Sequence, residues 1–276
     1  MTKIDTKKSL KPLFIIIIIL AIILTVIVVI LKSNSLNKDS KLVTDIYKYV
    51  GNNDLEICSG LVNYQDGEVT FDTIDNTDKL CLAYTLLNDS DITTLRIDED
   101  KNNVCKLDNN FTFATDNNND ADTCTIKRID ANLLNKEYKK IFGQDIKDYD
   151  EFLYDYKTVC KYIEEEASSY YYCGNAEEFS IAVGAFPKTY RAIKDVYKNN
   201  DSIIIYDYFL KVIDDECYET FTTNTKNDSC TNEYNNKTFN DSKKGYKFLK
   251  KYGTLYKHTF ENNNGEYYWV KSEVVK

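Results

Sequence analysis

The sequence predicts an α+β fold in which an N-terminal transmembrane helix precedes a disulfide-stapled ectodomain of antiparallel hairpins with a few helices. Three observations support this prediction. One long apolar run lies near the N-terminus, and all eight cysteines follow it. The rest of the chain alternates short apolar runs with turn-forming Asn, Asp and Gly residues, which is typical of hairpins. A few segments instead repeat their apolar residues with the period of an amphipathic helix.

The apolar run covers residues 13–31 and contains nineteen residues without a charge. At about 1.5 Å per residue it spans roughly 28 Å as a helix, close to the ~30 Å hydrocarbon core of a bilayer. It is longer than the apolar region of a cleavable signal, and no small-residue cleavage site follows it. We therefore expect a single-pass signal-anchor, with residues 1–12 in the cytoplasm and residues 32–40 as a linker.

The cysteines decide the expected orientation, because the lysines on the two sides of the apolar run are nearly balanced. Eight thiols would need a special reason in a reducing cytosol, and no C-x-x-C pair suggests zinc. We therefore expect the C-terminal domain to lie outside the cell membrane with four disulfides. We favour bonds between neighbours in sequence, since each closes a local loop: Cys58–Cys81, Cys105–Cys124, Cys160–Cys173 and Cys217–Cys230.

Composition excludes some partners and indicates a source. The formal net charge of −9 argues against nucleic acid, whose phosphates attract clustered cations. The abundance of Asn, Tyr, Lys and Ile is typical of an AT-rich genome. In composition and layout, over its whole length, the chain resembles uncharacterised single-pass membrane-anchored extracytoplasmic proteins of low-GC Gram-positive bacteria. This resemblance includes no motif. It therefore implies where the protein is located and says nothing about an activity.

We divide the ectodomain into a first subdomain, residues 41–125, and a second α+β subdomain, residues 126–276, and leave open whether they fold separately. In the first, the apolar spacing predicts a helix over residues 41–50, ended by Gly51. Strand-like runs follow at residues 56–64, 68–74 and 80–87. Two runs rich in Asp and Asn, within residues 98–122, are predicted to be solvated loops. A calcium site is the alternative, although neither run completes an EF-hand.

The second subdomain is predicted to begin with a helix that Asp130 caps and Gly143 ends. A hairpin follows, in which Cys160 lies opposite Cys173, Tyr162 opposite Tyr171 and Ile163 opposite Tyr170. The next strand, residues 203–213, places its even-numbered apolar residues on one face, with Asp207 and Lys211 on the other. It pairs with a strand around residues 189–197.

The chain is predicted to end with a helix over residues 242–252 and a hairpin that turns at Asn264-Gly265, a strong hairpin signal. This turn would place Phe260 opposite Trp269 and His258 opposite Lys271. The helix concentrates cations in an acidic protein and is our candidate binding surface for an anionic envelope polymer or lipid headgroups. Its lysines are Lys243, Lys244, Lys247, Lys250 and Lys251.

Other sites are less favoured. A thiol nucleophile with His258 as its base, and a zinc site, both conflict with an even set of extracytoplasmic cysteines. Aromatic residues near the C-terminus, among them Tyr268 and Trp269, could form a sugar or peptide platform, but core packing explains them more simply. We expect no cofactor and no metal, and the apolar run looks like a plain anchor rather than a contact helix.

Taken together, these observations predict a membrane-anchored extracytoplasmic binding or structural domain without catalytic activity. Its expected partners are the membrane, through residues 13–31, and an envelope polymer or a protein. The alternative is a cell-envelope hydrolase or transferase that uses carboxylates, which would require a cleft with two carboxyl groups and a raised pKa.

Overall fold

The computed structural model is a mixed α+β structure built from antiparallel sheets. It describes residues 16, 34–50, 58, 67–98, 104–107, 111–114, 123–154, 158–165, 168–175, 188–218 and 225–275. Apart from Ile16, the predicted anchor lies outside these residues. Among the residues described, no helix is long and apolar enough to cross a membrane.

The described residues form thirteen strands and five α-helices. The strands are β1 (Glu68–Thr70), β2 (Ile92–Asp98), β3 (Val104–Lys106), β4 (Thr112–Ala114), β5 (Thr123–Asp130), β6 (Phe152–Leu153), β7 (Thr158–Glu164), β8 (Ser169–Asn175), β9 (Lys188–Asn199), β10 (Ser202–Ile213), β11 (Glu216–Tyr218), β12 (Thr254–Asn263) and β13 (Glu266–Val274). The helices are α1 (Lys41–Tyr47), α2 (Asn76–Tyr84), α3 (Ala131–Phe142), α4 (Asp228–Glu233) and α5 (Ser242–Tyr252).

Two sheets make up most of the fold. The six-stranded sheet contains β1, β13, β12 and β10 in that order, with β9 and β11 also paired to β10. The same residues of β10 pair with both β9 and β11, so these two strands lie on opposite sides of it. The five-stranded sheet has the order β2-β5-β8-β7-β6, and β3 pairs with β4 alone. The predicted boundary at residues 125 and 126 falls inside β5, and β1 joins the C-terminal strand.

Helix α3 lies between the two large sheets, because it contacts β13 of one and β5 and β8 of the other. Asp130 accepts a hydrogen bond from the Asn132 amide at its start, and Gly143 ends it with a φ of 71°. Both roles were predicted from the sequence. Leu134 and Ile141 are completely buried on this helix, at the centre of the main core.

Helix α5 packs on the opposite face of the six-stranded sheet, against β9 and β10. Successive side chains of a strand point to opposite faces, and Ile203 and Ile205 of β10 lie in the core that contains α3. Leu210 and Val212 lie on the other face, in a second cluster that contains α5. β10 is therefore buried on both faces, and the two polar residues expected on its less apolar face, Asp207 and Lys211, are buried as well.

The structure joins the eight cysteines in the four sequential pairs: Cys58–Cys81, Cys105–Cys124, Cys160–Cys173 and Cys217–Cys230. Each bond closes a local loop, the shortest of them with a sequence separation of 13. Cys160 lies opposite Cys173 in the β7–β8 hairpin, in the predicted register. All eight cysteines are buried, so the bonds are part of the cores they join.

The structure corrects several predicted elements. Residues 80–87 were expected as a strand, but most of them belong to α2, whose Leu80, Cys81 and Leu82 pack into the main core. A run that is apolar on all sides fits a buried helix as well as a strand, and periodicity does not distinguish the two. The strand at residues 68–74 shortens to β1. Helix α1 ends at Tyr47 in a 3-10 turn, Lys48–Val50. Gly51 and most of residues 56–64 lie outside the described residues.

The C-terminal hairpin turns at Asn264 and Gly265, both with positive φ, and pairs Phe260 with Trp269 as predicted. The predicted pairing of His258 with Lys271 is wrong. A β-bulge adds Val270 to β13 between Trp269 and Lys271, so the register shifts by one residue and His258 pairs with Ser272. This shift places Ser272 where its hydroxyl meets the histidine ring.

Candidate functional site

A cleft of about 860 Å³ runs along the outer side of β9, between helix α5 and the segment that leads into α1. Its walls combine aromatic rings with cationic side chains. The residues that line it include Lys38, Asp39, Tyr47, Tyr190, Arg191, Ile193, Phe239, Lys243, Tyr246 and Lys247. Rings offer flat apolar surfaces and the lysines offer charge, so the cleft suits an anionic ligand that also presents apolar or planar groups.

The aromatic wall is held by contacts among its own rings. Tyr190 stacks on Phe239 with ring centroids 3.6 Å apart, and its hydroxyl lies 3.0 Å from that of Tyr234. Tyr246 projects from α5, where Lys38 Nζ lies 5.4 Å from its ring centroid. The lysine therefore connects the two walls of the cleft by a cation–π contact.

Arg191, which lines the cleft, forms a buried ion pair that joins β9 to Asp207 of β10. Arg191 Nε donates to Asp207 Oδ2 at 2.8 Å, and Tyr47 Oη donates to the same oxygen at 2.7 Å. Arg191 Nη1 also donates to the Val50 carbonyl, which connects β9 to the end of the 3-10 turn. The side chains of Arg191 and Asp207 are only 3% and 0% exposed. An ion pair removed from water in this way must be fully hydrogen-bonded to be tolerated.

A chain of hydrogen bonds continues from Asp207 across β12 and β13. His258 Nε2 lies 2.9 Å from Asp207 Oδ1, and His258 Nδ1 lies 2.6 Å from Ser272 Oγ. Trp269 Nε1 donates to Ser272 Oγ at 2.9 Å. We call Tyr47, Arg191, Asp207, His258, Ser272 and Trp269 the buried polar network.

The carboxylate of Asp207 decides the tautomer of His258. Asp207 is ionised and can only accept, so His258 Nε2 carries the proton. His258 Nδ1 is then an acceptor, and Ser272 donates its hydroxyl proton to it while accepting from Trp269. Arg191 Nη2 lies 3.1 Å from the same Nε2, which is a contact between two N–H groups under this assignment. Arg191 Nη2 has its acceptor in Asp207 Oδ2, at 2.5 Å, so the members of the buried polar network are paired despite this contact.

The network shifts the pKa values of its members. Burial by itself raises the pKa of the Asp207 carboxyl, but the charge of Arg191 and the bonds from His258 and Tyr47 outweigh it and hold that pKa far below its ordinary value. Burial lowers the pKa of His258, which keeps the ring neutral, and the attraction of Asp207 offsets only part of this effect. Burial, followed by repulsion from Asp207, raises the pKa of Tyr47.

Ser272, His258 and Asp207 have the residue types of a hydrolase triad but not its geometry. In such triads serine contacts Nε2 and the carboxylate contacts Nδ1. Here the two ring nitrogens are exchanged. Ser272 is also only 1% exposed, with its oxygen already bonded to Trp269. These residues therefore stabilise the sheet and do not present a nucleophile to a substrate.

The five lysines of helix α5 do not all face the same surface. Lys243 and Lys247 line the cleft and are exposed. Lys251 pairs with Glu233 of α4 at 2.7 Å. Lys244 and Lys250 are also exposed, but they do not line the cleft. The helix thus offers two cations to the cleft and three to other surfaces.

The other sequence candidates lie elsewhere. Every cysteine is in a disulfide, so none is a free thiol beside His258. Trp269 and Tyr267 are buried in the core, while Tyr268 is part-exposed and its hydroxyl donates to Glu266. The two Asp- and Asn-rich runs lie mostly outside the described residues. Within the described ranges, no group of three or more His, Cys, Asp or Glu side chains could hold a metal ion.

One carboxyl group has the raised pKa expected of an acid catalyst. Burial, and then repulsion from Asp75, raises the pKa of Asp78 from 3.8 to about 6. Asp78 and Glu151 line a separate pocket of about 350 Å³ beside β6. Glu151 is exposed and is not among the charges that raise the pKa of Asp78. The two carboxyl groups share a pocket, but Asp75, and not Glu151, is the carboxylate whose charge raises the pKa of Asp78.

The sequence offered the lysines of α5 as a candidate site and did not indicate the buried polar network. The available signals were one aspartate inside the apolar run of β10, the single histidine, and one of only three arginines. Nothing in the sequence connects these residues, because they come from separate strands. No protein-family model, no curated protein and no solved structure matches the chain.

Proposed function

We propose that the chain is a membrane-anchored extracytoplasmic protein that binds an anionic ligand in the cleft between α5 and β9, without catalysis. One observation carries the binding proposal: exposed lysines and aromatic rings converge on a cleft in a protein of net charge −9. A local concentration of cations against an acidic background favours an anion at that place. The buried polar network below the cleft holds Arg191 and Tyr47 in position.

The location rests on two features. The uncharged run at residues 13–31 has the length of a membrane span, and the four disulfides require an oxidising compartment to persist. A membrane-impermeant thiol label, applied to intact cells before and after reduction, tests the orientation. We expect labelling only after reduction. Free thiols that react only after lysis would place the domain in the cytosol and contradict the proposal.

The binding site is tested with the full chain in non-ionic detergent and fluorescein-labelled polyglutamate as an anionic probe. Lys243→Glu/Lys247→Glu should abolish binding, because both lysines line the cleft. Lys244→Glu/Lys250→Glu is the matched control, since it makes the same charge change on the same helix outside the cleft. Equal weakening by the two pairs would mean that only net charge matters. No effect of the first pair would exclude the cleft as the site.

A carboxylate hydrolase is the second candidate, and the raised pKa of Asp78 is the observation that favours it. The test is release of soluble fragments from isolated peptidoglycan by the full chain and by Asp78→Asn. Turnover that Asp78→Asn removes would establish the hydrolase. We expect no turnover by either protein, because the pKa of Asp78 is raised by its own burial and by Asp75 rather than by a second carboxyl in the pocket.

A further inference from the structure

We propose that the ligand of the cleft is an extended acidic peptide of a partner protein, which adds as a strand to the outer edge of β9. This inference rests on the proposed binding function and names the class of partner. It depends on three features of the described residues: unpaired backbone groups on β9, a segment of the same chain that already uses this edge, and the charge of the walls.

The free backbone groups follow from the register of β9 and β10. Asn199 and Ser202 close a two-residue turn, so the even-numbered residues of β10 direct their backbone groups toward β9. The odd-numbered Asp207 and Phe209 direct theirs toward β12. Ile193 pairs with Asp207 and Arg191 pairs with Phe209, so the N–H and C=O groups of both point away from the sheet.

These outward groups make no hydrogen bond with any other residue that the structure describes. Those of Arg191 are also accessible, because the residue is part-exposed although its side chain is only 3% exposed. The exposed surface of Arg191 is therefore its main chain. Ile193 is also part-exposed, and both residues line the cleft. An edge with open donors and acceptors pairs readily with another strand.

The chain itself shows that this edge accepts a strand. Leu36 N donates to the Val196 carbonyl at 3.0 Å, and Lys198 N donates to the Asn34 carbonyl at 2.8 Å, in an antiparallel bridge. After Leu36 the chain leaves the edge, in a turn where Ser40 N donates to the Asn37 carbonyl. The cleft begins where this segment departs, beyond the β-bulge at Lys194. An incoming peptide would therefore continue a pairing that is already present.

The walls indicate what side chains the peptide carries. In an added strand alternate side chains point to opposite sides, so one set would face α5 and meet Lys243, Tyr246 and Lys247. Among the described residues that line the cleft, Lys38 is a third exposed cation and Asp39 is the one carboxylate. Acidic residues alternating with apolar or aromatic ones fit these surfaces. A second copy of this chain fits less well, since two proteins of charge −9 repel.

The test uses the full chain in non-ionic detergent and an array of nine-residue peptides. In each peptide glutamate alternates with valine, tyrosine, phenylalanine or serine. The best binder is then resynthesised with N-methyl groups on alternate residues, in both phases, which removes backbone donors without changing charge. We expect one phase to weaken binding at least about tenfold and the other to leave it nearly unchanged.

Ile193→Pro provides the matching change in the protein. It removes an outward N–H and no bond to β10, so the fold should survive, which the emission of the single tryptophan and the disulfide map will check. We expect Ile193→Pro to weaken the peptide about tenfold and Ile193→Val to leave it unchanged. If Ile193→Pro misfolds, the binding of the N-methylated peptides to the wild-type protein still tests strand addition.

The outcomes separate this inference from the proposed function. Binding that resists both N-methyl phases but is lost in Lys243→Glu/Lys247→Glu would overturn strand addition and leave anion binding intact. Binding unaffected by that lysine pair would overturn both. Failure of every peptide, while polyglutamate still binds, would overturn strand addition alone. A dimer in sedimentation that Ile193→Pro abolishes would assign the edge to a second copy instead.

Discussion

Replacing Arg191 by methionine should destabilise the protein by about 3–5 kcal/mol. The side chain of Asp207 is completely buried, and Arg191 is its only full positive charge in the buried polar network. Methionine keeps most of the apolar volume and removes the charge, which leaves a carboxylate in a dry site. Breaking a buried ion pair in this way typically costs about 3–5 kcal/mol. Loss of the bond to the Val50 carbonyl adds to that cost.

A double-mutant cycle isolates the ion pair from these other effects. Asp207→Asn alone leaves Arg191 buried without a counter-charge and should cost about as much as Arg191→Met. In the double variant both charges are gone, while the asparagine oxygen can still accept from His258. We therefore expect the stability loss of the double variant to be smaller than the sum of the two single losses by roughly 3 kcal/mol or more.

The assay is guanidinium unfolding of the full chain in non-ionic detergent with its disulfides intact. Trp269, the only tryptophan, is 2% exposed and belongs to the buried polar network, so its emission reports unfolding directly. Lys194→Met is the matched control, because Lys194 also lies on β9 and pairs with Asp195 at 3.8 Å in an exposed position. That pair should contribute less than about 1 kcal/mol.

If Arg191→Met costs no more than Lys194→Met, the buried ion pair does not stabilise the protein. If the two single effects simply add, Arg191 and Asp207 are not coupled. If adding Asp207→Asn fully restored the stability lost in Arg191→Met, Arg191 would be needed only to neutralise the Asp207 carboxylate.

Three further predictions concern the network and Asp78. Ser272→Ala should cost about 2–4 kcal/mol, because it leaves the Trp269 N–H and His258 Nδ1 buried without partners, and equilibrium unfolding measures this. Asp78→Asn should stabilise the protein at pH 7 by roughly 1–2 kcal/mol and have no effect near pH 3.5. The reason is that the pKa of Asp78 is raised to about 6 in the folded protein, so the stability of the wild-type protein falls as pH rises from about 4 to about 6. The lowered pKa of His258 acts with the opposite sign: the unfolded chain takes up the proton first, so stability is lost as pH falls below about 6.5. That loss, measured in Asp78→Asn, should disappear when His258→Gln is added, and a persistent slope would contradict the assignment.

Local signals predicted several elements correctly. The caps of α3 at Asp130 and Gly143, the turn at Asn264-Gly265 and the register of the β7–β8 hairpin all depend on neighbouring residues. The backbone geometry at such positions is set by the side chains or glycines present there, so the local sequence is enough to indicate it. Sequential disulfides follow the same rule, since each closes a short loop.

Errors arose where a remote contact decided the outcome. Residues 80–87 carry too little polar alternation to indicate which structure they adopt, and packing beside α3 made most of them helical. The bulge at Val270 moved the partner of His258 by one residue. Turn chemistry sets the register at the end of a hairpin, but an insertion further along depends on what each strand packs against.

Charge, cysteine spacing and periodicity are properties of short segments, so they were enough to indicate the α+β class, to favour the four sequential disulfide pairs and to locate the cationic helix α5. The tertiary structure was needed to show that four separate residues form one network: Arg191, Asp207, His258 and Ser272. They come from four strands that meet across a sheet, with two bulges setting their register. It also decided which lysines reach the cleft, because that depends on how α5 docks against β9.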